Sequence, residues 1–225
     1  MDLEGTQFSH EMIEIGAYKV LLKDDLSVKR IIPGFSSYVK SKAKVGKVVT
    51  NLTGITDEKL RKEGIPFRLI QQGLKKYVGK EWGKCLFVTF GSHDLRIIMQ
   101  SAENNMDASM EEARYVTHHA FDFSEFLARF IKDEHGNSYS LANYLKVFGV
   151  PFEGKAHCAL VDAYNLIDLY KAFLSKPDII EVEYKKTLSR MSHFPVPVLR
   201  VLQRLNKGQN VTPDDYESEI KDYLK

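Results

Sequence analysis

The sequence predicts an α/β fold built around one mixed sheet, and three observations carry that prediction. Runs of β-branched and aromatic residues dominate the chain up to Lys40. A short continuous apolar run, KCLFVTF, stands between two helical patterns. From Pro66 onward, strand-like and helix-like stretches alternate up to about Leu174, which is the order of a sheet covered by helices. At 225 residues and 44% hydrophobic the chain can bury a sizeable core.

Taken in order, DLE opens the chain as a short first strand. EMIEIGAYKVLL and VKRIIPGFSSYV then read as two paired strands across the turn-prone KDDLS. SKAKVGKVVTNLTGIT reads as loop because Gly and polar residues punctuate it. PFRLIQQGLKKYVG has helical spacing, with Pro66 in its first turn and Gly79 at its end. KCLFVTF suits a strand buried on both faces and is stopped by Gly91. HDLRIIMQSAENN reads as helix and YVTHHAFDF as a strand or extended connection. DFSEFLARFIKDEHG reads as a helix capped by Asp122 or Ser124, and SLANYLKVFG repeats that grammar between Ser140 and Gly149. HCALVDAYNLIDLYKAFL is an amphipathic helix reaching about Leu174. Residues 1–175 are expected to form the main domain. Residues 176–225, with helices near 196–205 and 213–223, are expected to form a C-terminal helical extension packed on it.

Composition excludes several classes. No apolar run approaches the roughly 18 residues of a membrane span, and the N-terminus lacks a signal-peptide pattern, so a cytoplasmic location is expected. Cys85 and Cys158 lie among apolar residues, which suits reduced thiols. A net charge of +2 gives no global basic signature, so any grip on nucleic acid must be local.

The chemistry begins with Asp2 and Glu4. On a strand, residues i and i+2 share a face, so these carboxylates lie side by side and repel unless a cation separates them. Mg²⁺ and Mn²⁺ favour such oxygen donors. Asp94 follows the buried run in FVTFGSHDL, at the strand end where α/β sheets place their sites. Asp162 lies five residues after His157 in HCALVDAYNL. A five-residue helical step turns by about 140°, so the pair can share a cleft only if His157 sits at or before the helix start. His157 and Cys158, as adjacent residues, do not form a nucleophile and base pair. His118 and His119, read as strand neighbours, face opposite ways and share no metal.

The order DLE, FGSHD, HCALVD resembles the DEDDh 3′-to-5′ exonucleases, whose name counts four acidic residues and a histidine on a ribonuclease H-like fold. EMIEIGAYKV, FSSYVK, LTGIT and FEGKAHCALVDAYNL extend the likeness to the subgroup that trims histone messenger and small interfering RNA, together with sporulation-inhibitor-like bacterial members. The resemblance covers about residues 1–174. It implies a mixed five-stranded sheet flanked by helices. It further implies two divalent ions, Mg²⁺ or Mn²⁺, held by Asp2, Glu4, Asp94 and Asp162, with His157 as general base. The expected reaction releases nucleoside monophosphates from the 3′ end of single-stranded RNA or DNA, RNA favoured. Thr6, Gln7 and Phe8, after the first acidic pair, are the expected substrate contacts, and His93 either touches substrate or shapes the turn before Asp94. Lys40, Lys42, Lys44 and Lys47 form a basic loop that either tracks phosphates or is solvated surface. Asn165 either orients the site or lies at the surface. Members of this family carry several apolar residues before the first Asp, whereas only Met1 precedes Asp2 here, so the first strand is expected to be short and prone to fraying. Two rival readings remain: a non-catalytic nucleic-acid or protein-binding regulator that keeps the fold, and a two-metal nuclease that cuts internally.

Overall fold

A computed structural model describes residues 1–191 and 193–225. The chain divides into two compact units, Met1–Glu125 with Ser140–Ser175, and Phe126–Tyr139 with Lys176–Lys225.

In the first unit, β1 (Asp2–Gly5) pairs antiparallel with β2 (Met12–Ala17), which pairs on its other edge with β5 (Phe35–Tyr38). β3 (Val20–Leu22) and β4 (Val28–Ile31) form a separate hairpin. The two long runs expected as paired strands therefore each break in the middle. The second breaks at Pro33 and Gly34, where proline has no N–H to give a ladder. β6 (Phe87–Thr89) pairs in parallel with β7 (Ala120–Asp122). The strands of the expected five-stranded sheet thus form two separate ladders, β1–β2–β5 and β6–β7, and between them the Met1 nitrogen donates to the Val88 carbonyl at 2.7 Å. Beyond that bond a cleft of about 270 Å³ separates residues 17–22 from residues 84–88.

The helices are α1 (Lys47–Thr53), α2 (Asp57–Glu63), α3 (Phe67–Val78), α4 (His93–Asn104), α5 (Met110–His118), α6 (Phe123–Leu127), α7 (Leu141–Val147) and α8 (Ala159–Ser175). Four depart from expectation. α1 and α2 occupy the stretch read as loop and its sequel. Gly46, at φ 89°, opens α1, and Gly54 closes it in the left-handed region, its N–H donating to Thr50; the glycines thus bound a helix instead of marking a loop. α5 extends through His118, so His118 and His119 end a helix, and their rings bond to the carbonyls of Arg114 and Tyr115. α6 is only five residues long, where a longer helix was expected.

Leu3, Met12, Ile15, Phe67, Ile70, Leu74, Phe87 and Ile97 form the main core, with Ile13, Val45, Ile55 and Leu60 in a second cluster. Each such side chain, fully buried, contributes roughly 1.5–3 kcal/mol before entropic costs. In β1 the alternation is complete: Leu3 and Gly5 are buried, and Asp2 and Glu4 are partly exposed. Gly16 decides how close α8 comes. A Cβ there would lie 2.2 Å from the backbone of Ala159 and Leu160, so only glycine lets the start of α8 rest on β2.

The second unit contains α9 (Pro177–Arg190), α10 (Val196–Asn206) and α11 (Pro213–Tyr223). The last two lie where the sequence places helices, whereas α9 was not foreseen. Thr212 and Asp215 form a capping box at the start of α11. Asn206 donates to the Lys185 carbonyl, Arg204 pairs with Asp215 and Arg200 with Glu219. Among the described residues no helix is long and apolar enough to cross a membrane.

Candidate active site

The register of β1 on β2 sets the site. Asp2 stands opposite Gly16 and Glu4 opposite Glu14, so the face that carries the carboxylates is the one against which α8 begins. Glu14 accepts the Ala159 N–H at 3.2 Å, an anion placed at a helix N-terminus. Asp162 lies in the first turn of α8. His157 precedes the helix with φ 62°, a left-handed conformation costly for a side chain, and its N–H donates to Asp162 Oδ2 at 2.9 Å. This turn resolves the 140° problem: the strained residue folds back, so that His157, Asp162 and Glu4 present ligand atoms all within 4.8 Å of one another. His157 Nδ1 is 3.7 Å from Glu4 Oε1, and its ring is half exposed.

Asp94, the second residue of α4, is 5% exposed. The nearby Leu3 N–H favours the charged form of Asp94, yet its Oδ2 is buried without a partner. Asp122 holds the preceding turn by accepting the N–H groups of Gly91 and Glu125.

The electrostatics follow from this crowding. Burial pushes Glu4 up to about 8, with repulsion from Asp162, Glu14 and Asp94 added to it. Asp94 is pushed up to about 7, chiefly by burial. Asp2 is held well above the usual carboxylate range by burial and by Asp94, Asp162 and Glu4. Asp162 and Glu14 are raised by burial against the opposing hydrogen bonds from His157 and Ala159. Four carboxylates thus lie close enough to resist one another's ionisation. Hard oxygen donors in such a cluster, with a buried carboxylate oxygen left unpaired, fit Mg²⁺ or Mn²⁺.

The expected substrate contacts divide. The Thr6 hydroxyl is committed to Ser9 and to the Glu11 N–H, and the residue is 2% exposed, so it shapes the turn after β1 and does not face solvent. Gln7 is half-buried and accepts the Val48 N–H at 3.2 Å. Phe8 is 82% exposed, a ring with no core role. His93, beside Asp94, packs edge-on against His10, with ring centroids 5.1 Å apart. Asn165 is buried, not a surface residue, and clamps Glu153 through both that residue's N–H and its carbonyl, fixing the loop that leads to His157. Sequence reading missed Glu14, and it gave Asp122 as a helix cap, which it is through the Glu125 N–H, but not as the acceptor of the Gly91 N–H. A glutamate inside the apolar run EMIEIGAYKV was the available signal for Glu14.

Among known structures, the chain is similar to the nuclease domain of 3′hExo, a DEDDh family member, bound to rAMP, with 19% identity, TM-score 0.59, and coverage of 78% of this chain and 90% of that one. It is also similar to a full-length 3′-exonuclease (18%, TM-score 0.57, 78% and 59% covered) and to a 3′-exonuclease recognising the histone mRNA stem-loop (21%, TM-score 0.55, 78% and 62% covered). The chain thus spans under two thirds of the latter two. These likenesses establish the ribonuclease H-like fold. No curated protein sequence matches. The RNase T family model, described as Exonuclease, matches residues 1–170, and the chain therefore belongs to the exonuclease family, with the fold of its DEDDh members.

Proposed function

We propose that this exonuclease works from 3′ to 5′, releasing nucleoside monophosphates from single-stranded ends, with RNA preferred to DNA. The observation that carries this reading is the meeting of Glu4, Asp162 and His157 within 4.8 Å, with Asp2 and Asp94 close enough to raise and be raised by them. Asp2, Glu4, Asp94 and Asp162 would hold two divalent ions, Mg²⁺ or Mn²⁺. Such ions, when bound, polarise the scissile phosphate and make a water nucleophilic near neutral pH.

The remaining work falls to side chains of this protein. His157 turns Nδ1 toward Glu4, which leaves Nε2 to take a proton from the attacking water. Asp162 fixes His157 through its backbone N–H, and Asn165 fixes the loop before it. The exposed ring of Phe8 offers a stacking surface for the terminal base. Residues 1–175 are read as the catalytic domain and 176–225 as its extension. The preference for RNA draws support from one structural neighbour, which recognises a histone mRNA stem-loop.

The test is to incubate the protein and a His157→Ala variant with 5′-labelled single-stranded RNA and DNA in Mn²⁺ or EDTA. A descending ladder is expected in Mn²⁺ alone, slowed about 10²–10⁴-fold in the variant. Internal fragments, or a ladder indifferent to EDTA, would refute the reading.

A further inference from the structure

A cavity of about 370 Å³ lies between the loop after β5 and helix α2. Lys40, Lys42 and Lys44 line one wall, and Arg61 stands on the other with Asp57 and the buried Leu60. Among the described residues Lys40, Lys44 and Arg61 have no carboxylate partner, although lysines elsewhere pair readily, as in Lys62–Glu58 and Lys75–Glu112. The single acid in the wall, Asp57, is turned to the backbone, where it accepts the Val45 N–H at 2.9 Å. No described aromatic side chain lines the cavity.

The loop that carries these cations is built, not slack. The carboxylate of Glu11, 4% exposed, accepts the Lys42 N–H at 2.7 Å and the Asn104 amide at 3.3 Å, and the Lys42 ammonium bonds to the Asn104 carbonyl. The Gln7 N–H donates to the Val45 carbonyl at 2.9 Å, and Gln7 Oε1 accepts from Val48. Gln7 stands three residues after Glu4, in the turn that follows β1, so that turn is hydrogen-bonded to the segment directly after the lysine-lined wall.

Unpaired cations held together repel, and a bound polyanion offsets that cost. Three of them around a cavity without an aromatic ring match a run of phosphates, not a stacked base. We propose that this cavity is a subsite for the phosphate backbone of the substrate strand, on the 5′ side of the nucleotide being removed. The proposal rests on the exonuclease reading above. Its contacts are independent of sequence, and it favours strands long enough to reach from the carboxylates to the cavity.

A Lys40→Ala/Lys44→Ala/Arg61→Ala variant tests this, since none of the three touches the carboxylate cluster. For a single strand of about ten nucleotides, KM should rise on the order of tenfold with kcat unchanged, and the slope of log affinity against log salt should fall by about 2, three contacts at roughly 0.7 each. A dinucleotide, which has no upstream backbone, should show the same KM with both proteins. Unchanged KM and salt slope on the longer strand would overturn the subsite, as would an equal loss on both substrates. If the parent protein hydrolyses neither strand, the exonuclease reading fails by itself; anisotropy of the labelled strand in EDTA then still decides the subsite, an unchanged salt slope overturning it.

Discussion

The same residue types behave in opposite ways in two regions of this chain. In the C-terminal helices the acids are matched to cations: Glu181 with Lys185, Glu183 with Lys186, Glu219 with Arg200. Asp215, bonded to the Thr212 backbone and side chain and to Arg204, is pulled down to about 2. Around β1 and the start of α8, the acids face one another. Glu4 is pushed up to about 8 and Asp94 to about 7. A carboxylate with a built-in partner serves folding, and a cluster left without one is poised for a ligand that the chain does not supply.

The largest effect should come from Asp2→Asn. Loss of groups that merely support a metal ligand costs 10–100-fold in comparable sites, so hydrolysis should fall by at least about 100-fold. In EDTA at pH 8 the same variant should melt higher than the parent, because one repelling charge is gone. A variant that is both inactive and less stable in EDTA would erase the contrast between the two regions.

The next effect is metal linkage, and its sign follows from the shifts. Glu4 and Asp94 hold their protons to higher pH in the folded protein than in the unfolded chain. Their contribution to stability is therefore complete below about pH 4 and is lost as pH rises through about 7 to 8. Asp215 has the opposite slope: its contribution is present above about pH 4 and fades toward pH 2. Mn²⁺ at 100 times its Kd should add about 2.7 kcal/mol. The rise in Tm should be larger at pH 8 than at pH 6, where protons compete for the same oxygens. Equal shifts at both pH values, read by differential scanning calorimetry, would contradict this assignment of charge.

The smallest effect belongs to the paired region. Thr212→Ala removes the cap of α11 and should cost about 1 kcal/mol of stability in urea unfolding. Its kcat on single-stranded RNA should match the parent. A fall in kcat would give the C-terminal helices a part in the reaction.

How much was legible depended on how local each signal is. The spacing of Asp2 and Glu4 placed both on one face of a strand because strand geometry has a period of two, and β1 shows that alternation. The helix carrying Asp162 was legible from its apolar periodicity. The length of α6 and the helices α1 and α2 were not, because glycines at 46 and 54 serve as helix ends there, and the sequence does not distinguish an end from a loop.

By itself the sequence determined which residue types were available and in what order, and hence the family. Only the tertiary structure decided that Gly16 would admit the start of α8, that His157 would adopt a left-handed turn onto Asp162, and that Glu14 would stand opposite Glu4. Close approach between distant segments depends on the space left by side chains on both partners. That space is a property of the packed chain, and no periodicity along one segment encodes it.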